Sequence, residues 1–285
     1  IEVNKYNSEN KYTWCPGCGN FAIHIALKKA LSELNISPSE TFISFDIGCN
    51  GNGGDKINTY AFKGLHGRSI PLAIGAHLAN RKFSVFADIG DGGCFHEGLD
   101  HLVHAIRCNY DITILIHNNQ NFALTTGQAT VTTQEKKPMY GSPNGRSERE
   151  LNISEFILNL KPSLYAKGYT GNPIQLTDLI KQGIKNKGCS VIEIIQMCPT
   201  YNKEFTPQWA REHIKEISSL KKHNKESLEK AREIVNEKDI YTGIIYKNSK
   251  ITPYYKQQES RKDSLTELVE EVKPYNIKKL IKYLE

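Results

Sequence analysis

No stretch of this 285-residue chain stays apolar long enough to cross a bilayer. Its first ten residues, IEVNKYNSEN, hold no apolar core of the kind that directs export. A net charge of +6 is spread along the chain without a basic block, so no nucleic-acid-binding stripe is written into it. Internal repeats and low-complexity tracts are also lacking, which excludes solenoid and fibrous architectures. These absences set the expectation of a cytoplasmic protein that binds neither nucleic acid nor membrane. The modest positive charge is compatible with an acidic protein partner.

What is present is an alternation. Strand-like runs at 41–47, 82–89, 111–117 and 189–197 alternate with helix-like runs at 21–34, 71–80, 97–109, 151–160 and 174–188. Such an alternation predicts an α/β fold, a parallel sheet with helices on both faces, and ligands bound beyond the carboxyl ends of the strands. A polar stretch over roughly 118–150 is too long to be idle within a compact domain. After about Pro207 the composition turns charged and helical in period, with one strand-like run at 240–246. The expected division is therefore a main domain over 1–207 and a helical C-terminal extension over 208–285.

Two motifs carry chemistry. DIGDGG (88–93) follows the strand-like run 82–89, and HNNQNF (117–122) ends the next one. Gly90 and Gly92 let the backbone turn tightly against a ligand. Asp91 and the amides of Asn118 and Asn119 offer hard oxygens at neighbouring strand ends, where they could share a Mg²⁺ with substrate phosphates. Alone, each is an ordinary turn, but one helix–strand crossover brings the two together. The second motif is cysteine. Of seven cysteines, Cys15 and Cys18 form a C-x-x-C bracket in TWCPGCGN. In a reducing compartment such a bracket reads as a zinc staple, a redox dithiol or half of an iron–sulfur cradle. The residues alone leave all three open.

G-D-G closed by N-N after a few tens of residues resembles the thiamine diphosphate (ThDP) motif. With TWCPGCGN, DIGCNG, LHGRSIPLAIGAHLAN, NNQNFALTTGQAT and QMCPTYN in this order, residues 12–206 resemble the β subunits of 2-oxoacid:ferredoxin oxidoreductases. That resemblance implies a ThDP-binding fold. It implies Mg²⁺ held by Asp91, Asn119 and the carbonyl of Asn121, and a [4Fe–4S] cluster on Cys15, Cys18, Cys49 and Cys198. It sets Gly17, Gly48, Gly90, Gly92, Gly93 and Thr125 against the cofactors. His66 is placed near a phosphate or the substrate carboxylate, Leu124 near the aminopyrimidine–thiazolium junction, and Gln128 beside Thr125 on the substrate approach. His66 and Leu124 are the candidate catalytic residues. Cys94, Cys108 and Cys189 are left out of the cluster.

The implied reaction is oxidative decarboxylation of a 2-oxoacid, 2-oxoglutarate ahead of pyruvate, to acyl-coenzyme A. Ferredoxin is the expected electron acceptor, and an α (or α/γ) subunit the expected partner, in a dimer of α–β units. The pyrimidine-activating carboxylate that ThDP needs has no counterpart in this chain, so the resemblance implies that the partner supplies it. Two departures stand out. Asn52 occupies a position that is basic in many relatives, with Lys56 the nearest cation, and Gly93 occupies one that is often acidic, followed by His96 and Glu97. The alternative reading is a non-redox ThDP decarboxylase or ligase subunit with a structural Cys₄ zinc site.

Overall fold

The computed structural model describes residues 1–220, 223–272 and 277–283. Its first elements are α1 (Asn20–Glu33), β1 (Thr41–Phe45), β2 (Tyr60–Lys63), α2 (Ser69–Ala79), β3 (Ser84–Gly90), α3 (Leu99–Cys108) and β4 (Thr113–Asn118). A small hairpin of β5 (Asn121–Phe122) and β6 (Gln128–Ala129) follows, then α4 (Ile153–Asn159), β7 (Leu164–Tyr169), α5 (Pro173–Lys185) and β8 (Ser190–Ile195). Beyond Pro207 come α6 (Pro207–His213), β9 (Ile214–Glu216), α7 (Leu228–Val235) and β10 (Ile240–Lys247). The short helices α8 (Tyr254–Gln257), α9 (Leu268–Glu271) and α10 (Lys278–Ile281) end the described chain.

Eight strands form one sheet in the order β2-β1-β3-β4-β8-β7-β10-β9. The strands β2, β1, β3, β4, β8 and β7 are mutually parallel. β10 joins β7 antiparallel, and β9 runs parallel to β10. Residues alternate between two cores along each central strand. Val85, Ala87, Ile89, Ile114 and Ile116 face α2, α3, α4 and α7, whereas Phe86 and Leu115 face α1 and α5. Every residue of β4 and β8 is buried, as in strands covered on both faces, and their polar members, such as Asn118 and Glu193, are hydrogen-bonded to one another. Among the described residues, no helix is long and apolar enough to cross a membrane.

The expected elements are present with shifted ends. The helix expected at 71–80 begins at Ser69. Pro71 sits in its first turn, where a missing N–H costs no helical bond. The helix expected at 97–109 starts at Leu99, and a wide π turn over Gly93–Glu97 leads into it. The charged stretch after 207 is interrupted by β9, and the strand-like run at 240–246 forms β10 as expected. Both join the main sheet, so the boundary expected at 207/208 falls between strands of one sheet. Residues 221–222, 273–276 and 284–285 of the expected extension lie outside the described residues.

The chain runs outward from β1 to β2, then returns to lay β3 on the other side of β1 and continues to β4. This reversal opens a crevice between the carboxyl ends of β1 and β3, where open α/β sheets bind their ligands.

Candidate functional site

Four parallel strands end side by side at this crevice, and each releases a loop into it. β1 leads to Asp46–Asn50, β3 to Asp91–Gly93, β4 to Asn119–Asn121 and β8 to Gln196–Cys198. The resulting cleft is lined by Gly48, Gly90, Asp91, His117, Asn119 and Leu124, among others.

Asp91 is 1% exposed. Its Oδ2 accepts hydrogen bonds from the hydroxyls of Thr130 and Thr132, each at 2.6 Å. Burial nevertheless pushes its carboxyl up to about 6, against the pull of these hydroxyls and of backbone N–H groups. A desolvated carboxylate at a strand end is stabilised most by a cation. Asn119 lies beside it on the next loop. Its Oδ1 accepts from the Asn121 backbone N–H at 3.0 Å, across Gln120 at φ 59°. The Asn119 amide oxygen thus has one lone pair engaged within its own loop and a second left for a cation. Asn118 points elsewhere, donating to Glu193 Oε1 at 3.0 Å.

The G-D-G-G turn has no room for side chains. A Cβ on Gly92 would lie 2.2 Å from the Phe122 ring, and one on Gly93 would lie 1.7 Å from Asp46 Oδ2. Gly93 therefore stands where Asp46 already supplies a buried acid. Asp46 accepts from the Gly67 N–H at 2.8 Å, and its Oδ2 has no partner. Gly90 ends β3, and Gly48 turns at φ 134° after β1.

His66 and Glu97 face each other on the rim at 3.6 Å (Nδ1 to Oε2), and both line the cleft. His96 is exposed and lies edge-on to Phe122. Leu124 is 48% exposed, so about half of it is open to the cleft and the thiol cavity that it lines. Thr125 and Gln128 bond each other, hydroxyl to Oε1 and Nε2 to carbonyl oxygen, both at 2.5 Å.

A second cavity adjoins the first, and Cys15, Cys18, Cys49 and Cys198 all line it. The C-x-x-C segment is a tight turn, with the Cys18 N–H donating to the Cys15 carbonyl at 3.0 Å. Gly17, at φ 79°, lies within it and approaches Pro199. The Trp14 indole donates to the Cys49 carbonyl at 2.6 Å and fixes the third thiol's loop to the first two. Burial pushes the Cys49 thiol up to about 12, and the nearby Cys18, Cys198 and Cys15 add to the shift. Cys18 is raised as well, first by burial. Four thiolates here would repel one another unless a positively charged centre neutralised them. Among the described residues no three His, Cys, Asp or Glu side chains meet closely enough to hold a single ion. Four thiols lining one cavity form the donor set that either a zinc ion or an iron–sulfur cluster takes. Asn52 is on this cavity's wall and accepts from Lys63 Nζ at 3.0 Å, while Lys56 is paired to Asp55. Cys94 and Cys189 are fully buried in the apolar core, and Cys108 ends α3.

The cleft and the thiol cavity share Cys49, Asn119, Ala123, Leu124 and Gln196 as a common wall. Several residues here escape sequence reasoning. Thr130 and Thr132 are signalled only by the threonines of the polar stretch. His117 is buried between Asp88 (Nε2 to Oδ2) and Asn20 (Nδ1 to Oδ1), both at 2.9 Å. Asn50 adds a hydrogen bond to Asp88 Oδ1 at 3.1 Å. Asn202 stands in QMCPTYN, where nothing in the sequence sets it apart from its neighbours.

Residues 46–194 match the family model described as "Thiamine pyrophosphate enzyme, C-terminal TPP binding domain". Residues 198–263 match the model for the C-terminal part of the pyruvate ferredoxin oxidoreductase beta subunit. The chain is 34% identical over 212 residues to 2-oxoacid:ferredoxin oxidoreductase 1, subunit beta, of Aeropyrum pernix, covering 74% of this chain and 67% of that one. It is 32% identical over 256 residues to the 2-oxoacid:ferredoxin oxidoreductase subunit beta of a Sulfolobus species, covering 85% and 83%. Among solved structures, it is similar to the 2-oxoglutarate:ferredoxin oxidoreductase from Magnetococcus marinus, whose structure holds 2-oxoglutarate, coenzyme A and succinyl-CoA. There the TM-score is 0.85 at 27% identity, covering 100% of this chain and 96% of that one. With two family models in succession and relatives that span most of its length, the chain belongs to the β subunits of the 2-oxoacid:ferredoxin oxidoreductases.

Proposed function

We propose that this chain holds the diphosphate end of ThDP and a [4Fe–4S] cluster in an enzyme that oxidises a 2-oxoacid to acyl-coenzyme A and CO₂. The observation that carries the reading is the common wall: the Asp91–Asn119 cleft and the four-thiol cavity are separated by little more than Cys49, Leu124 and Gln196. When bound, ThDP with Mg²⁺ supplies the carbon nucleophile and electron sink for decarboxylation, and the cluster accepts electrons one at a time.

The chain's own residues do the rest. Asp91 provides the negative charge for Mg²⁺, with Thr130 and Thr132 fixing its orientation. Asn119 and the Asn121 carbonyl complete the protein's share of the ligands. The side-chain-free turn at Gly92 and Gly93 lets backbone approach the diphosphate. Leu124 presents an apolar surface to the cofactor, and His66, backed by Glu97, offers a hydrogen bond at the mouth. Cys15, Cys18, Cys49 and Cys198 hold the cluster. The substrate we favour is 2-oxoglutarate ahead of pyruvate, with ferredoxin as acceptor, in the cytoplasm, within a dimer of α–β units. The carboxylate that activates the pyrimidine belongs to the partner subunit, so the active site is shared.

Anaerobic purification of the chain with its partner, followed by assays for iron, sulfide, zinc and thiamine, tests the reading. We expect iron, sulfide and thiamine in the ratio of one [4Fe–4S] cluster to one ThDP, and no turnover by the isolated chain. Zinc without iron would replace the redox role by the structural-zinc alternative. Absence of thiamine would remove the catalytic role, and 2-oxoacid oxidation by the isolated chain would refute the shared site.

A further inference from the structure

Asn202 lies on the loop just past Cys198 and is 1% exposed. Three of its polar groups have three different partners. Its backbone N–H donates to the Cys198 carbonyl at 3.0 Å, closing a local bridge between these two residues. Its Nδ2 donates to the Asn119 carbonyl at 2.9 Å. Its Oδ1 accepts from Lys137 Nζ at 2.8 Å. Lys137 is 8% exposed, ion-paired to Glu204 at 2.7 Å, and lies 5.5 Å over the Phe205 ring. The lysine comes from the polar stretch that also supplies Thr130 and Thr132 to Asp91. One buried amide therefore links the loop of a thiol ligand, the loop of a Mg²⁺ ligand and the segment that orients the Mg²⁺ carboxylate.

We infer that Asn202 is a positioning residue, held by Lys137, that couples the two cofactor sites so that occupancy of the thiol cavity tightens ThDP–Mg²⁺ binding. The inference rests on the function proposed above. The Asn119 carbonyl has two acceptor sites, and they are taken by Asn202 and by Asn121 Nδ2 at 2.8 Å. Fixing Cys198 through a bound cluster fixes the Asn202 backbone, which holds Asn119 in register. Buried amides of this kind act as a unit, because leaving one partner unsatisfied costs the full desolvation of the group. Binding coupling is reciprocal, so ThDP also changes the surroundings of the cluster.

The test measures ThDP affinity by calorimetry in the assembled enzyme, with Mg²⁺ present, before and after chelators strip the cluster. The cluster-loaded wild type should bind about fivefold or more tightly than the stripped one. In Asn202→Ala that ratio should fall to about one, although iron and thiamine both still load. Adding ThDP should alter the electron paramagnetic resonance line shape of the reduced cluster in the wild type and leave it unchanged in the variant. Should Asn202→Ala fail to assemble, Lys137→Met and Asn202→Asp carry the test. The first removes the donor behind Asn202, the second its donation to Asn119, and each should reduce the ratio. A wild-type ratio of one overturns the inference. So does a ratio that survives all three substitutions, since coupling would then run through the shared wall or the His117–Asn20 bond. A wild type that loads neither iron nor thiamine refutes the proposed function itself, a result distinct from both.

Discussion

Asp46 shows what this site costs its own chain. Burial, and secondarily the charge of Glu97, push its carboxyl up to about 6, while the Ile47 and Gly67 N–H groups pull it down. The ordinary value is 3.8, so between these two pH values the folded chain keeps a proton that the unfolded chain releases. Stability falls with rising pH wherever the native state binds more protons. The loss is complete above about pH 6 and amounts to about 2 to 3 kcal/mol at 1.4 kcal/mol for each pH unit. Asn can still accept from Gly67 and carries no charge. Asp46→Asn should therefore raise the melting temperature at pH 7.5, with the gain shrinking to nothing as the pH approaches 4. Calorimetry across that range decides it, and a gain independent of pH would show that charge burial is not the cause. This acid is not apparent from sequence. Its role depends on Gly93 being small, and the two lie on loops of different strands.

At the scale of elements, glycine divides into positions that fill and positions that do not. A methyl at Gly93 meets Asp46 Oδ2 at 1.7 Å, whereas one at Gly75, in α2, meets nothing within 4 Å. Gly75→Ala should stabilise the chain by about 0.8–1 kcal/mol through helix propensity. Gly93→Ala should destabilise it by about 3 kcal/mol through overpacking and abolish retention of thiamine. Denaturant titration of both variants, with thiamine assayed after gel filtration, checks the pair, and a neutral Gly93→Ala would contradict the packing described. The same scale explains what could be read in advance. β3, β4 and β8 are largely buried and announce themselves as runs dominated by apolar residues, with Ile or Val in each. β2, YAFK, is an edge strand with all four residues exposed and has no alternation to detect. β7, LYAKGY, is broken by Lys167, whose place in a sheet makes sense only beside the buried Glu193, at 3.5 Å on the neighbouring strand. The G-D-G and N-N turns could be paired in advance because one crossover separates them. Thr130 and Thr132 could not, lying 39 and 41 residues beyond the aspartate they hold.

For the molecule as a whole, the chain beyond Pro207 is part of the core. Ile234, Ile245 and Tyr246 are buried in the same cluster as Ile157, Leu158 and Tyr165. Their burial is worth about 5 to 9 kcal/mol in total, the size of a domain's entire stability. A fragment ending at residue 207 should not unfold cooperatively by circular dichroism and should be cut readily by protease. A protease-resistant fragment would support the division into a main domain and an extension. The molecule also has an optical property. It contains two tryptophans. Trp209 is stacked between Phe205 and His213, and Trp14 forms part of the thiol cavity's wall. The emission of Trp14 thus reports on whatever absorbs light in the cavity, and filling can be followed by fluorescence without adding a dye.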